Sequence, residues 1–159
     1  MPRTQPLILA ALLGGCVARA TAPATSEAPQ IAPPTIAELV AARQAGMHMA
    51  ATLLYQDIAP RAKGTGDLKE VAFSEGLEMW AAAIPGLFPA GSLHPQSRAT
   101  AAIWANKPDF DRKAADMGEA ARQVSAAGRA GDLAGYADAV GRLRQTCSAC
   151  HTPYRAPQD

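Results

Sequence analysis

The stretch "LAGYADAVGRLRQTCSACHTPYR", residues 133 to 155, decides the fold. Leu133, Tyr136, Val140, Leu143, Cys147, Cys150 and Tyr154 recur at alternating steps of three and four. That is the spacing of one apolar helix face. Both cysteines lie on the face, and His151, one turn beyond Cys147, projects beside them. The helix is predicted to begin at Asp132, after Gly131. It therefore turns two thiols and an imidazole toward the interior of whatever it packs against.

Three more helical segments precede it. Thr35 and Glu38 form a capping box that opens the first, which is expected to reach Ala59 and to end at Pro60. Its stripe is Ile36, Val40, Met47, Ala50 and Leu54, with Arg43 filling the gap in the three-and-four spacing. A second helix is expected over Asp67 to Ile84, with Phe73, Leu77, Trp80 and Ile84 on one face and Ala72, Gly76, Met79 and Ala83 beside them. The prolines and glycines of "PGLFPAGSLHPQS" then make residues 85–97 a loop. A short helical piece, "RATAAIWAN", leads to Pro108 and a third main helix ending near Ala130, with a seam of Phe110, Ala114, Met117, Ala121 and Val124. No strand pattern occurs. The fold class read from this pattern is all-α, an antiparallel four-helix bundle over residues 35–159, with its site built between facing helices.

Composition agrees. The chain has 159 residues, enough for one domain, and aromatic residues make up only 5%, so the core must be built from Ala, Leu, Met and Val. A formal charge of +1 and the lack of a basic run argue against nucleic-acid binding.

Residues 1–15 read as an export signal: one positive charge, then an apolar run from Leu7 to Leu13 too short to span a bilayer. "LLGGC" resembles a bacterial lipobox, which would make Cys16 a lipidated N-terminus and a membrane anchor. The rival is cleavage after Ala18-Arg19-Ala20. Residues 16–34 read as a Pro/Ala/Thr-rich linker. With either cleavage, Cys147 and Cys150 remain a pair of free thiols in the oxidising periplasm.

The order Cys147-Ser148-Ala149-Cys150-His151 is C-x-x-C-H, the attachment signature of haem c. Two thiols add across the porphyrin vinyl groups, and the next residue offers an imidazole nitrogen to the iron. A zinc site would have only His48 and His94 to complete it. A thioredoxin-like pair belongs after a strand. A disulfide between helical i and i+3 positions is geometrically awkward and leaves His151 unexplained.

On these residues the chain resembles the cytochrome c′ family and its low-spin, methionine-ligated relatives. The resemblance runs from about Thr35 to Arg155 and rests on C-x-x-C-H near the C-terminus of a helical chain, "CSACHTPYR", "RQAGM", and "LFPAGS" followed by "AAIWAN". It implies a periplasmic bundle with one haem c attached through Cys147 and Cys150, His151 as axial ligand, and a homodimer packed through the first two helices. The lipobox and linker depart from a family whose members are usually soluble.

By the same resemblance Met47 lies over the ring opposite His151, as a sixth ligand or as a core methionine filling a gap. Arg43, on an otherwise apolar stripe, needs an anion, for which a haem propionate would serve. Arg155 is a candidate for the proximal face or a propionate, and Trp80 for packing on the porphyrin, with core packing its rival. Two functions follow: an electron carrier cycling Fe(III)/Fe(II) with a periplasmic partner, or an open-site binder of nitric oxide or carbon monoxide. An enzyme such as a peroxidase is not expected. His48 lies five residues from Arg43 and turns off its face, so no acid–base pair is poised.

Overall fold

The computed structural model describes residues 32–157, and the export signal, most of the linker and Cys16 lie outside them. Four main helices form: α1 (Ile36–Thr52), α2 (Ala72–Ala83), α3 (Lys107–Ala130) and α4 (Leu133–Tyr154). They make an antiparallel four-helix bundle.

Local chemistry sets most of the ends. The Thr35 hydroxyl accepts from the Glu38 amide while the Glu38 carboxylate accepts from the Thr35 amide, a complete capping box. At the α3–α4 turn Gly131 takes φ +69°, the left-handed conformation that a side chain resists. Asp132 then caps α4 by accepting from the Gly135 amide at 2.9 Å.

One boundary falls as expected and one does not. The first helix ends at Arg61, one residue past Pro60. A six-residue π-helical turn, Leu53–Ile58, follows α1 directly, and the helix continues through Ala59–Arg61. Pro60 sits in the first turn of that last piece, where its missing N–H is tolerated, and the wider π turn moves aside the carbonyl its ring would strike. The helix expected from Asp67 begins only at Ala72. Asp67 instead folds its carboxylate onto the Lys69 amide at 2.9 Å, a local turn that competes with helix.

Two expected stripe members, Ile36 and Leu133, are exposed; each opens its helix, before the neighbouring helices reach it. Met79 is 75% exposed and lies off the α2 core stripe. The remaining apolar faces form two clusters. One gathers Leu54, Ile58, Leu77, Ala121, Val124, Tyr136, Val140 and Leu143. The other gathers Ile84, Phe88, Ile103, Phe110, Ala114 and Tyr154. The α2–α3 contact is tied by a buried Ser74–Ser125 hydroxyl bond of 2.7 Å and by the exposed ion pair Arg129–Glu75.

Candidate functional site

Cys147 packs against the first cluster and Cys150 against the second, so the trio stands where the two halves of the core meet. Beside it opens a cavity of about 530 Å³, within the size range of cofactor pockets. From α4 its wall includes Leu143, Cys147, Cys150 and His151. From the first helix it includes Met47, Leu54 and Tyr55. Leu77, Ile84, Ala114 and Met117 close the apolar floor.

Both cysteines are free and half-buried. Loss of water raises each thiol above its ordinary pKa, so both are held as neutral S–H groups. His151 is pushed the other way, first by burial and then by the Arg155 and Arg98 charges, which keeps the imidazole neutral. A neutral imidazole has a lone pair to give a metal. Among the described residues no three His, Cys, Asp or Glu side chains converge on one point.

Met47 reaches the cavity from the first helix and also lines a smaller pocket beside it, which it shares with Cys150 and His151. Arg155 lines both spaces; its backbone N–H bonds the His151 carbonyl at 3.0 Å.

Arg43 is buried, 3% exposed, and lines the smaller pocket together with Met47, Cys150 and His151. Nε donates to the Leu87 carbonyl at 2.7 Å, one terminal nitrogen to the Ser92 carbonyl at 3.0 Å and the other to the Ser92 hydroxyl. Its guanidinium also lies 4.2 Å from the Phe88 ring centroid. The loop after α2 thus satisfies the buried charge, and Arg43 serves to pin that loop onto α1. Loop carbonyls are invisible to sequence periodicity, so these partners could not be read from the helix spacing.

Trp80 packs against the second core cluster, as Met47 and Cys150 do, and lines neither of the two spaces described above. Its ring lies over Gly46, where a Cβ would overlap it, so Gly46 exists to let α1 and α2 approach. The Trp80 indole N–H is buried without a partner among the described residues. Lys113, Arg98, Arg144 and Tyr55 also line the cavity and were not singled out from the sequence. Only Arg144, three residues before Cys147, had a signal: it shares the helix face of the motif.

Two half-buried thiols, a neutral imidazole and an apolar cavity between helices of a bundle define a c-type cytochrome. Residues 38–155 match the family described as Cytochrome C′, and the chain belongs to that family. Cytochrome c-556 of Agrobacterium tumefaciens (strain B2A) is 44% identical over 75 residues, 47% of this chain and 60% of that relative. The chain thus spans less than two thirds of the curated relative's length. Among solved structures, cytochrome c′ from Thermochromatium tepidum superposes with a TM-score of 0.72 at 26% identity, covering 79% of this chain and all of the other. A nitric oxide complex of a variant of cytochrome c prime from Alcaligenes xylosoxidans gives 0.70 at 27% identity, covering 77% of this chain and 97% of that one.

Membership brings a covalently attached haem c, and the residues fit it. The thiols are neutral and unpaired, as addition to vinyl groups requires. The imidazole is neutral, and the space beside all three is large and mostly apolar. Among the described residues no helix is long and apolar enough to cross a membrane.

Proposed function

We propose that this protein is an exported electron carrier whose haem is held through Cys147 and Cys150, with His151 and Met47 as the two axial ligands. The bound group supplies one-electron chemistry between ferric and ferrous states. The chain's own residues do the rest. Cys147 and Cys150 fix the ring to α4, and Arg155 caps the helix end that carries His151. Leu54, Leu77 and Leu143 exclude water, which strengthens every local electrostatic effect.

The observation that carries the reading is that Met47 and His151 come from different helices yet line the same two spaces. A thioether is a soft, neutral donor that favours ferrous iron and completes a low-spin site. Nitric oxide or carbon monoxide capture is the second reading, favoured by the apolar lining and by the nitric oxide complex named above. Carbon monoxide binding to the reduced protein separates the two. The carrier should bind it slowly or not at all, and Met47→Ala should bind it rapidly. Rapid binding by the unaltered protein would reverse the assignment. Among the described residues the cavity lining includes no carboxylate, and the reading includes no catalysis.

The periplasm is the proposed location, with Cys16 as a lipid anchor, supported by the sequence of residues 1–34. A homodimer through α1 and α2 is supported by exposed Ala42, Ala45 and Met49 on α1 and by Met79 and Ala83 on α2.

A further inference from the structure

The cavity separates α1, which carries Met47, from α4, which carries His151. The segment between α2 and α3 is anchored on both of these walls. Its first arm is held by α1. Arg43 donates to the Leu87 carbonyl and to the carbonyl and hydroxyl of Ser92. Gln44, the next residue, donates from Nε2 to the Gln96 carbonyl at 2.9 Å. Ser92 is 1% exposed and in turn donates to the Pro89 carbonyl at 2.7 Å, which the Trp104 indole N–H also reaches at 2.8 Å. The second arm is held by the end of α4. Ala99 and Arg155 form an isolated antiparallel bridge. Beside it the Thr100 amide donates to the Tyr154 carbonyl at 3.0 Å, and the Ala156 amide to the Arg98 carbonyl at 2.8 Å.

Each anchor lies one helical turn from an axial position: Arg43 four residues before Met47, and Arg155 four residues after His151. We infer that residues 87–100 are a strap that sets the separation of Met47 and His151, with Arg43 as the positioning residue that transmits it to Met47. The inference rests on the two-ligand reading and adds what holds the second ligand in place. Apolar packing is non-directional, whereas a planar guanidinium bonded at three points fixes both distance and angle. A ligand has to be held within about 0.5 Å of its productive position. That is a reason for a buried arginine where an aliphatic side chain would fill the same space.

The test uses the haem-loaded full chain. Arg43→Met removes the guanidinium, and Ser92→Ala removes only its hydroxyl partner. Carbon monoxide has to displace the Met47 thioether from ferrous iron, so its association rate reports how firmly that thioether is held. The rate should rise about tenfold in Arg43→Met and about threefold in Ser92→Ala. The ferric charge-transfer band should weaken in the same order. Arg43→Lys keeps the charge but not the fork, and should fall between Arg43→Met and the unaltered protein. Ser125→Ala breaks the buried bond to Ser74 on the α2–α3 side and controls for lost stability alone. It should leave the rate within about twofold. An unchanged rate in Arg43→Met, or the same acceleration in Ser125→Ala, would overturn the strap and leave Met47 ligation standing.

A second readout needs no iron–sulfur bond. Amide hydrogen exchange should quicken at residues 44–50 and 87–96 together in Arg43→Met and in Ser92→Ala, with α3 unchanged. Should the unaltered protein prove to have an open sixth site, the two-ligand reading fails, and this joint change still supports the strap as what holds the Met47 turn. Faster exchange in the loop alone, with the Met47 turn as protected as before, would overturn the strap whatever the iron binds.

Discussion

The α3–α4 pair and the α1–α4 pair are built in opposite ways. Between α3 and α4, small and branched side chains close the space: Ala121, Val124 and Leu143 have no exposed surface at all. At their far end the Tyr154 hydroxyl donates to the Asp109 carboxylate at 2.6 Å, linking the two helices again. Between α1 and α4 lies the cavity, with Met47 and Leu54 on one wall and Cys147 and Cys150 on the other. Arg144 over Tyr55 bridges its rim. One helix pair supplies a rigid wall from the chain alone. The other is completed by a group the chain does not encode, which is how a small bundle makes room for a large cofactor.

Removing the cofactor should therefore hurt the two sides unequally, and this is the largest effect expected. The double variant Cys147→Ala, Cys150→Ala should lose its haem on acid–acetone extraction. Its unfolding free energy should drop on the order of 5 kcal/mol, a large share of what a small domain has. Hydrogen exchange should show α1 amides opening well before those of α3 and α4. Uniform weakening of all four helices would erase the contrast.

Arg43→Met comes next. It leaves the Leu87 and Ser92 carbonyls and the Ser92 hydroxyl without their charged donor, which should cost about 2–4 kcal/mol in chemical denaturation. Proteolysis should then fall on residues 87–92, because Arg43 is what pins that loop. Cleavage elsewhere would mean the guanidinium plays no such part.

The smallest effect is a pH window on the rigid side. Donation to Asp109 favours the protonated phenol in the fold and pushes the Tyr154 pKa from 10.0 up to about 12. A group whose folded pKa is raised contributes stability that is full below pH 10 and is lost as pH climbs through about 12. Asp109 is shifted down, chiefly by the same bond, so its contribution is present at neutral pH and is lost in acid. The melting temperature of Tyr154→Phe should approach that of the unaltered protein as the pH is raised across this alkaline window. A constant gap between the two would deny the hydrogen bond its role.

Much of this was legible in residues 133–155. The three-and-four stripe placed both cysteines on an inward face, and the caps at Thr35 and Asp132 were readable because capping is a local exchange between side chain and backbone. What escaped was nonlocal. The π-helical turn of Leu53–Ile58 leaves no mark in the helical spacing. Arg43 found loop carbonyls 44 and 49 residues away, and no helical spacing predicts those. Trp80 keeps α2 phase, but that spacing does not reveal that its ring lies over Gly46. The cations on the cavity wall come from three separate segments, so no sequence run betrays them.

The oxidised absorption spectrum tests the central claim most directly. With Met47 opposite His151, the ferric protein should be low-spin and show a methionine–iron charge-transfer band near the red end of the spectrum. Met47→Ala should abolish that band. A high-spin ferric spectrum in the unaltered protein, with no such band to lose, would contradict Met47 ligation and the electron-carrier assignment built on it.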